Sequence, residues 1–498
     1  MSLFQIVAHG TKSAYEPSGG VFNNLSSGTG PTGPDGPTGA VTTPDCIEAI
    51  VTTEYAGLAD DEFVFSDLST AINTGNANIC VRDGTHMLTT FSGGMLHIMP
   101  NATVDGGIIT DNSMVNGGGT LADPTINGVN ISLENITLNS VMGTVQGSNF
   151  NMDSVIFNGS TLSIDVTDIV NIRESQINGG LSMSSTDGNS RYEIHDTKVT
   201  GDFVATGGST KSEVSKSVFG GTIQVDAVLT DYRFIDNNVA GDVQMGYGTN
   251  LKITGNNFAS NFTVTGAPGN SWSGIFANNS VLNFVHPVSV QGWASFRNNI
   301  FRSSTFTGDD YNGIMFSNNR VLGGNLEFGS SGSPITNAQR LMIKGNDIRQ
   351  NVEIYASTIS GLINDNLVSV NFIADADTIS SLSVANNSTV APSTFQIGNA
   401  NSSIDYLSIN KNVLDNLGSA NMEIKFNKLS FSVVNSNSIP NNTDIVFDGP
   451  NAITELTVHG NTCNQIRATT LQTSPDIAVT GNSVNVTTSN LPQFVNRN

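Results

Sequence analysis

The sequence predicts an all-β protein, a right-handed single-stranded parallel β-helix of about 17–20 rungs with a short N-terminal capping helix and an extended N-terminal arm. The first observation is a repeated unit in residues 232–264, in which two short runs of alternating apolar residues are separated by an Asn. Alternation with a period of two indicates β-strands. The recurring positions are Phe234, Asn237, Val239, Val243 and Met245, followed by Ile253, Asn256, Phe258, Phe262 and Val264.

The second observation is that the Asn slot recurs along most of the chain at steps of 19 to 27 residues. Such a period without helical stretches is typical of β-solenoids, and the uneven steps disfavour a left-handed hexapeptide helix. The alternative is one or more β-sandwiches, but hairpin-linked strands would not restate one slot. The predicted slot residues are Asn135, Ser154, Ser175, Thr197, Ser217, Asn237, Asn256, Asn279, Asn299, Asn319, Asn346, Asn366, Asn387, Asn412, Asn437, Asn461 and Asn482.

These slot residues are expected to form a structural ladder. Asn tolerates the left-handed backbone conformation, so each slot residue is predicted to lie at a turn. Neighbouring rungs of stacked parallel strands lie about 4.8 Å apart, so the slot side chains should hydrogen-bond along the axis. The ladder from Asn135 to Asn482 should then be roughly 75–80 Å long.

The domain prediction follows from where the repeat begins and ends. Residues 1–45 are predicted to form an N-terminal arm, residues 46–78 a linker and capping helix, residues 79–490 the β-helix, and residues 491–498 a C-terminal tail. Gly occupies every third position from 30 to 39, which makes residues 30–41 collagen-like. These triplets predict attachment and trimerisation through the arm, and the alternative is a polyproline-like linker.

Helix and turn signals precede the regular repeat. Ser66 or Asp67 can cap a short helix that ends at Gly75, and a strand is predicted at residues 79–81. Together with the Asp-Gly-Thr-His turn at residues 83–86, this segment resembles the opening of pectate-lyase-like β-helix proteins. The resemblance implies this fold for residues 60–490 and a helix that covers the apolar end of the first rung. It implies little about activity.

Composition narrows the range of partners. The chain of 498 residues carries a formal net charge of −22, which disfavours binding to nucleic acid or anionic lipid. Cys46, Cys80 and Cys463 are widely spaced and predict neither a disulfide framework nor a metal site. The N-terminus lacks signal-peptide features and no stretch is long enough to span a bilayer, so membrane insertion is not expected.

Motifs of polygalacturonases, one class of β-helix enzyme, are incomplete in this chain. Those motifs would include Asn-Thr-Asp, Asp-Asp, Gly-His-Gly and Arg-Ile-Lys on consecutive rungs. The chain contains Asn442, Thr443 and Asp444 and, far upstream, Asp309 and Asp310, but neither of the last two motifs. These carboxylates are therefore not predicted to be catalytic.

Other candidate chemical groups are isolated as well. Glu327 and Glu353 are predicted to stack on one strand face, with Glu423 three rungs further along, and solubilising roles are typical of such exposed carboxylates. The six histidines have no partner at metal-ligand spacing. The sequence predicts no catalytic residue, no cofactor and no metal ligand.

The two tryptophans are the remaining candidates for ligand contact. By alternation from neighbouring core residues, Trp272 should point inward and Trp293 outward. Trp293 is therefore the candidate sugar contact, but core or subunit-interface packing is the favoured role for a single Trp of this kind.

An acidic β-helix with an N-terminal arm and a collagen-like run resembles fibre and surface proteins of large DNA viruses and of tailed phages. This resemblance implies a non-catalytic structural or adhesive spike or fibre protein of a virus particle. We expect a homotrimer on the virion surface, assembled in the host cytoplasm and held to other capsid proteins through residues 1–45. Host-surface glycans are the expected ligands of its loops. The alternative is a tailspike-like β-helix that binds or degrades polysaccharide.

Overall fold

The computed structural model describes residues 49–53, 64–140, 142–184, 191–207, 209–226, 228–267, 270–390, 394–415, 421–440, 442–451, 453–470, 472, 476–485 and 490–491. All of these residues belong to one unit, Cys46–Asn498. The predicted arm, including the collagen-like triplets, lies outside the described residues.

The described chain is a parallel β-solenoid of about 19 turns. Strands on one turn pair in parallel with the equivalent strands on the turns before and after. Phe234, for example, is in register with Val214 on one side and with Ile253 on the other. The predicted all-β solenoid is thus confirmed, and its right-handed winding stays a prediction.

Three strand faces build each turn. The first face contains the strands Ala49–Val51, Asn78–Val81, Gly94–Ile98, Ser113–Asn116, Ile169–Arg173, Arg191–His195, Glu213–Ser215, Arg233–Ile235, Trp272–Ala277, Ala294–Arg297, Ile314–Ser317 and Ile477–Thr480, and Val64–Phe65 pairs with the outer edge of its first strand.

The second face consists of short strands that follow the slot. Its strands are Gly84–Met87, Ala102–Asp105, Thr120–Ala122, Thr137–Asn139, Lys198–Val199, Val218–Phe219, Asn238–Val239, Asn257–Phe258, Arg320–Val321, Asp347–Ile348, Leu367–Val368, Ser388–Thr389, Val413–Leu414, Thr462–Cys463 and Ser483–Val484.

The third face completes the turn. Its strands are Thr90–Phe91, Ile108–Ile109, Phe203–Thr206, Ile223–Val225, Val243–Gly246, Phe262–Thr265, Leu326–Phe328, Thr394–Ile397, Met422–Lys425, Ile445–Asp448 and Ile466–Ala468.

Some strands bend from one face onto the next, and short strands also occur between the third and first faces. The bending strands are Thr125–Glu134, Met142–Asp153, Ile156–Val166, Gln176–Ser184, Gly248–Thr254, Ser280–His286, Ile300–Phe306, Ile335–Lys344, Val352–Asn364, Asn371–Ala385, Ser403–Asn410, Lys428–Asn435 and Ile453–His459. The short ones are Ser209–Thr210, Leu229–Thr230 and Asp310–Asn312.

A short helix, α1 (Leu68–Asn73), precedes the regular turns. Asp67 is its N-cap residue and accepts a hydrogen bond from the Thr70 N–H at 3.0 Å, so of the two predicted caps the structure selects Asp67. Leu68 and Ala71 are buried in the solenoid core. No helix among the described residues is long and apolar enough to cross a membrane.

Strand pairing begins earlier than predicted. Ala49–Val51 pairs in parallel with Asn78–Val81, although residues 46–78 were expected to form only a linker and the helix. The alternation of buried and half-buried residues in Ala49–Val51 is too short to be recognised as a strand without its partner.

The core is a stack of side chains from all three faces. Every second strand residue points inward, and large aromatic rings fill the middle turns. Phe306 and Phe328, on successive turns, stack with ring centroids 4.4 Å apart. Burial of this apolar core is the main favourable free-energy term of the fold, and each aromatic side chain in it removes about 150–250 Å² from water.

Twelve buried or half-buried asparagines form one hydrogen-bonded column between the first and second faces. Each N–H donates to the side-chain oxygen of the next Asn at 2.8–3.1 Å, and each side-chain nitrogen donates to the same oxygen at 2.8–3.2 Å. The column consists of Asn237, Asn256, Asn279, Asn299, Asn319, Asn346, Asn366, Asn387, Asn412, Asn437, Asn461 and Asn482.

Toward the N-terminus shorter side chains continue the column. The Asn237 oxygen accepts the Ser217 N–H at 2.9 Å, and the Ser217 hydroxyl accepts the Thr197 N–H at 3.2 Å. Likewise the Ser175 hydroxyl accepts the Val155 N–H at 3.1 Å. A hydroxyl has one hydrogen to donate, whereas a primary amide has two. A Ser or Thr side chain can therefore accept a strand N–H but cannot form all the hydrogen bonds that an Asn side chain forms in the column.

The predicted register is wrong by one residue at Asn135 and Ser154. Both side chains lie outside the core, and the slot on these turns holds Ile136 and Val155, which are 2% and 0% exposed. On both turns a polar residue comes immediately before an apolar one. Because the slot is polar on the other turns, the sequence pattern assigned the polar residue to it. The ladder therefore begins at Ser175.

The left-handed backbone conformation also lies one residue earlier than predicted. It belongs to the residue before the slot, as in Asn278, Asn298 and Asn318 with φ of 58°, 55° and 54°. Asn135 and Ser154 occupy this earlier position, with φ of 49° and 56°. Gly255 fills the position with φ of 74°, where its lack of a Cβ removes the steric cost.

The cysteines correct another expectation. Cys80 is disulfide-bonded, whereas Cys463 has a free thiol. Cys463 is fully buried in the core, and burial raises the pKa of its thiol to about 12. It is therefore a small core residue with an unreactive thiol.

Replacing an interior ladder residue should destabilise the solenoid. Asn299→Ala would leave the Asn279 N–H and side-chain amide and the Phe276 carbonyl without their partners. We expect a loss on the order of 1–3 kcal/mol of unfolding free energy, measured by urea denaturation. Amide hydrogen exchange should accelerate most on the turns around residue 299.

The matched control is Asn257→Ala. Its exposed side chain donates to the Asn238 oxygen at 3.1 Å on the second face. The control should change stability by less than about 0.5 kcal/mol. Equal effects of the two substitutions would contradict a special contribution of the buried column.

A buried histidine makes stability depend on pH. His286 is fully buried beside Trp272, and desolvation lowers its pKa to about 3 against a smaller opposing effect of the nearby backbone groups of Val288 and His286. Between pH 6.5 and 3 the unfolded chain binds a proton there and the folded chain does not. Stability should therefore fall as pH falls, by on the order of 2 kcal/mol between pH 7 and pH 5.

His286→Phe should remove this part of the pH dependence and raise stability at pH 5, measured as urea midpoints from pH 4 to 8. The exposed His459, changed to Gln, serves as the control and should keep the wild-type pH dependence. An unchanged pH slope in His286→Phe would contradict the assignment.

Candidate functional site

A row of strand residues on the outside of the first face forms the floor of a groove. Glu213, Arg233, Lys252 and Ile275 are in register on four successive turns. Each stands immediately before an inward core residue, so alternation directs its side chain outward. Parallel pairing thus aligns residues about 20 positions apart in sequence into one row along the axis.

A second row forms the wall of the groove at the turn that enters the first face. Lys211, Asp231 and Asn250 have φ of 56°, 55° and 59° and lie on three successive turns. The Lys211 N–H donates to the Thr230 carbonyl at 2.8 Å and the Asp231 N–H to the Thr249 carbonyl at 3.1 Å. The left-handed backbone lets each of these side chains project beside the floor.

The groove is basic although the chain as a whole is acidic. It has a volume of about 500 Å³ and is lined by four cations and two carboxylates, a net of two positive charges on a chain of net charge −22. The cations are Arg191, Lys211, Arg233 and Lys252, and the carboxylates are Glu213 and Asp231.

Only part of this charge is neutralised locally. Arg233 forms an ion pair with Glu213 at 3.5 Å, and Arg191 contacts Glu193 at the proximal end. Lys211 and Lys252 are exposed and form no ion pair with any described carboxylate. Two lysine ammonium groups therefore remain available to an anionic ligand.

Trp293 lies beyond the distal end of the same wall. The Asn250 N–H donates to the Ser273 hydroxyl at 3.4 Å, and on the next turn the Gly274 N–H donates to the Trp293 carbonyl at 3.1 Å. The indole is 49% exposed, as alternation predicts, while Trp272 is 1% exposed in the core. The outward indole thus extends the line of Lys211, Asp231 and Asn250.

The predicted carboxylate stack is present on the third face. Glu327 and Glu353 are register partners on adjacent turns, and Glu423 follows three turns after Glu353. Desolvation and the neighbouring Glu353 raise the pKa of Glu327. The Asn351 amide donates to Glu353 at 2.8 Å, and Glu423 forms an ion pair with Lys425 at 3.0 Å.

The aspartates of the incomplete motifs are held by their own neighbours. Asp444 accepts hydrogen bonds from Arg467 at 3.0 Å and Asn464 at 2.8 Å. The Asp310 carboxylate accepts a hydrogen bond from the Asn337 side-chain amide at 2.5 Å, whereas the Asp309 backbone carbonyl accepts hydrogen bonds from backbone N–H groups. These two sites lie on turns far apart along the axis, so the structure does not assemble them into one centre.

The histidines do not form a metal centre within the described part of the chain. No group of three or more His, Cys, Asp or Glu residues there could hold a metal ion. His195 contacts the Ser215 hydroxyl at 2.5 Å, and His97 contacts the Asn116 side chain at 2.7 Å.

Sequence reasoning missed the basic groove. The signal was present, since Glu213, Arg233 and Lys252 each stand immediately before the second apolar residue of the repeat. Aligning the repeats on the outward positions, rather than only on the apolar frame, would have placed these three charges side by side. The contribution of Lys211 required knowledge of the turn geometry.

In comparisons with known proteins, no family model, no curated protein and no solved structure matches the chain.

Proposed function

We propose that this chain is the non-catalytic shaft of a structural or adhesive spike or fibre on a virus particle. The observation that carries the proposal is the uninterrupted axial column of buried asparagines from Asn237 to Asn482, which locks each turn to the next. Eleven steps of about 4.8 Å give this column a length of roughly 53 Å. A rod of this kind resists bending and shear because every turn is fixed by strand and side-chain hydrogen bonds together.

The surface chemistry supports a role in display. Several potential catalytic groups are engaged by neighbours, as Asp444 is by Arg467 and Glu423 by Lys425. The basic groove and the exposed Trp293 lie on one edge of the rigid rod. Recognition groups raised on a rigid scaffold are typical of binding proteins.

Attachment and trimerisation are assigned to residues 1–45. Apolar residues of this arm, such as Phe4, Ile6 and Phe22, have no place in the solenoid repeat, and a second surface would bury them. The collagen-like residues 30–41 would then bring three shafts to one axis. Three shafts multiply weak distal contacts through avidity.

A tailspike-like polysaccharide-degrading role is the second candidate, and the Glu327–Glu353 pair favours it. Register partners on adjacent turns are about 4.8 Å apart at Cα. Retaining glycosidases hold two carboxyl groups about 5–5.5 Å apart, one of them with a raised pKa. The structural role ranks first because the Glu353 carboxylate is held by the Asn351 amide, and Asp375, which adjoins the pair together with Tyr355, is held by the Asn399 amide.

Deleting residues 1–45 should leave a folded solenoid that is a monomer and is absent from purified particles. Folding would be checked by circular dichroism, association by sedimentation velocity, and incorporation by mass spectrometry of virions. The physical reason is that the strand pairing of Cys46–Asn498 does not require the arm, whereas attachment does.

The matched control for this deletion is Gly33→Ala with Gly36→Ala, which keeps the apolar arm but breaks the triplets. This variant should still reach particles but sediment as a monomer in solution. Normal incorporation of the deleted protein would contradict anchoring, and a trimeric glycine variant would contradict trimerisation by the triplets.

Purified protein should release no reducing sugar or unsaturated uronide from a broad panel of polysaccharides. The Glu327→Gln and Glu353→Gln variants should be indistinguishable from the wild type in this assay. Turnover that either substitution abolishes, while Glu423→Gln preserves it, would reverse the ranking in favour of a glycosidase.

A further inference from the structure

The basic groove has features that a display shaft alone does not require. Lys211 and Lys252 both line the groove, two turns apart, and neither forms an ion pair with a described carboxylate. The whole chain has only 20 basic residues, and four of them line this groove. The concentration of positive charge indicates an anionic ligand.

The carboxylates of the groove narrow the ligand class. Asp231 and Glu213 lie between the cations, and Asn250 donates to the Asp231 carboxylate. Carboxylate and amide oxygens accept hydrogen bonds from hydroxyl groups, which sugars carry on every ring. A ligand with both hydroxyl and anionic groups fits this mixed lining.

The exposed indole adds an independent observation. Trp293 is two turns beyond Asn250, about 10 Å along the axis, and is 49% exposed. The apolar C–H face of a sugar ring packs against the electron-rich face of an indole. From Lys211 to Trp293 the site spans four steps, roughly 19 Å, which suits an oligosaccharide rather than a single sugar.

We propose that the groove lined by Lys211 and Lys252, together with Trp293 beyond its distal end, binds an acidic oligosaccharide, a glycan that carries carboxylate groups. The two lysines pair with its carboxylates, Asp231 and Glu213 accept its hydroxyl hydrogen bonds, and Trp293 packs against a ring at the distal end. This inference deepens the adhesive part of the proposed function and rests on it, since it names the ligand class of the displayed edge.

Single-stranded nucleic acid also combines anionic groups with stacking surfaces, but the groove disfavours it. A phosphate backbone carries one charge per nucleotide along its whole length and would meet Asp231 and Glu213 as well as the lysines. The net charge of −22 repels a long polyanion at a distance, whereas a glycan with spaced carboxylates can place them at the lysines alone.

The test uses the full chain and titration calorimetry with an oligogalacturonate and its methyl-esterified counterpart, which lacks the charges. We expect the acid to bind, the ester to bind at least tenfold more weakly, and the affinity for the acid to fall with added salt. Lys211→Gln with Lys252→Gln should weaken binding of the acid at least tenfold. Trp293→Ala should weaken both ligands.

Lys198→Gln with Lys216→Gln is the matched control, because both lysines are exposed on neighbouring turns outside the groove. This pair makes the same charge change and should leave the affinity within about twofold. Circular dichroism and the urea midpoint verify that each variant is folded.

Several outcomes would overturn the proposal. One is that oligogalacturonate does not bind at millimolar concentration, and another is that its methyl ester binds with equal affinity. A third is that the Lys211/Lys252 and Lys198/Lys216 variants lose the same affinity. The fourth is that a single-stranded oligonucleotide at equal charge concentration competes with the oligogalacturonate. Altered sedimentation of Trp293→Ala with unchanged glycan binding would instead assign the indole to a subunit interface. Because particle incorporation is measured separately, a negative binding result would contradict glycan binding but not the proposed structural role of the shaft.

Discussion

A primary amide buried in an apolar interior is stable only if all of its hydrogen-bonding groups are used, and this constraint organises the solenoid. The Asn299 oxygen accepts two hydrogen bonds from Asn279, and its nitrogen donates to the Phe276 carbonyl and to Asn319. These four bonds exist only when adjacent turns place their asparagines one above the other. From Asn237 to Asn482 the column therefore holds the axial register of the three faces, because a turn that slipped by one residue would bury an unpaired amide.

The asparagine column fixes the edge between the first and second faces, and the lengths of the other two connections in each turn can vary. Steps between slot residues range from 19 to 27 residues, yet the turn from the first to the second face keeps one geometry. On the turn from Asn412 to Asn437 the extra residues lie between the second and third faces, and on the turn from Asn319 to Asn346 they lie between the third and first faces. The basic groove adjoins this variable edge, so new surface chemistry arises there without disturbing the column.

The same geometry explains which charged residues act alone and which act together. Outward positions on successive turns are about 4.8 Å apart, so charges on adjacent turns of one row are close enough to interact where their side chains point toward each other. Glu327 and Glu353 are such neighbours, and the pKa of Glu327 is raised by desolvation and by that carboxylate. In the groove, Arg233 offsets Glu213, while Lys211 and Lys252 keep their charge for a ligand.

The sequence by itself determined the solenoid, the inward core and the asparagine column from Asn237. The reason is that in a parallel stack, residues one repeat apart in sequence become neighbours in space. It could not decide between Asn135 and Ile136 for the slot, since both patterns fit and only the backbone turn shows which side chain enters the core. Tertiary structure alone decided the groove. Lys211 reaches the strand row of Lys252 because a left-handed turn directs it there, and side-chain direction at a turn does not follow from spacing.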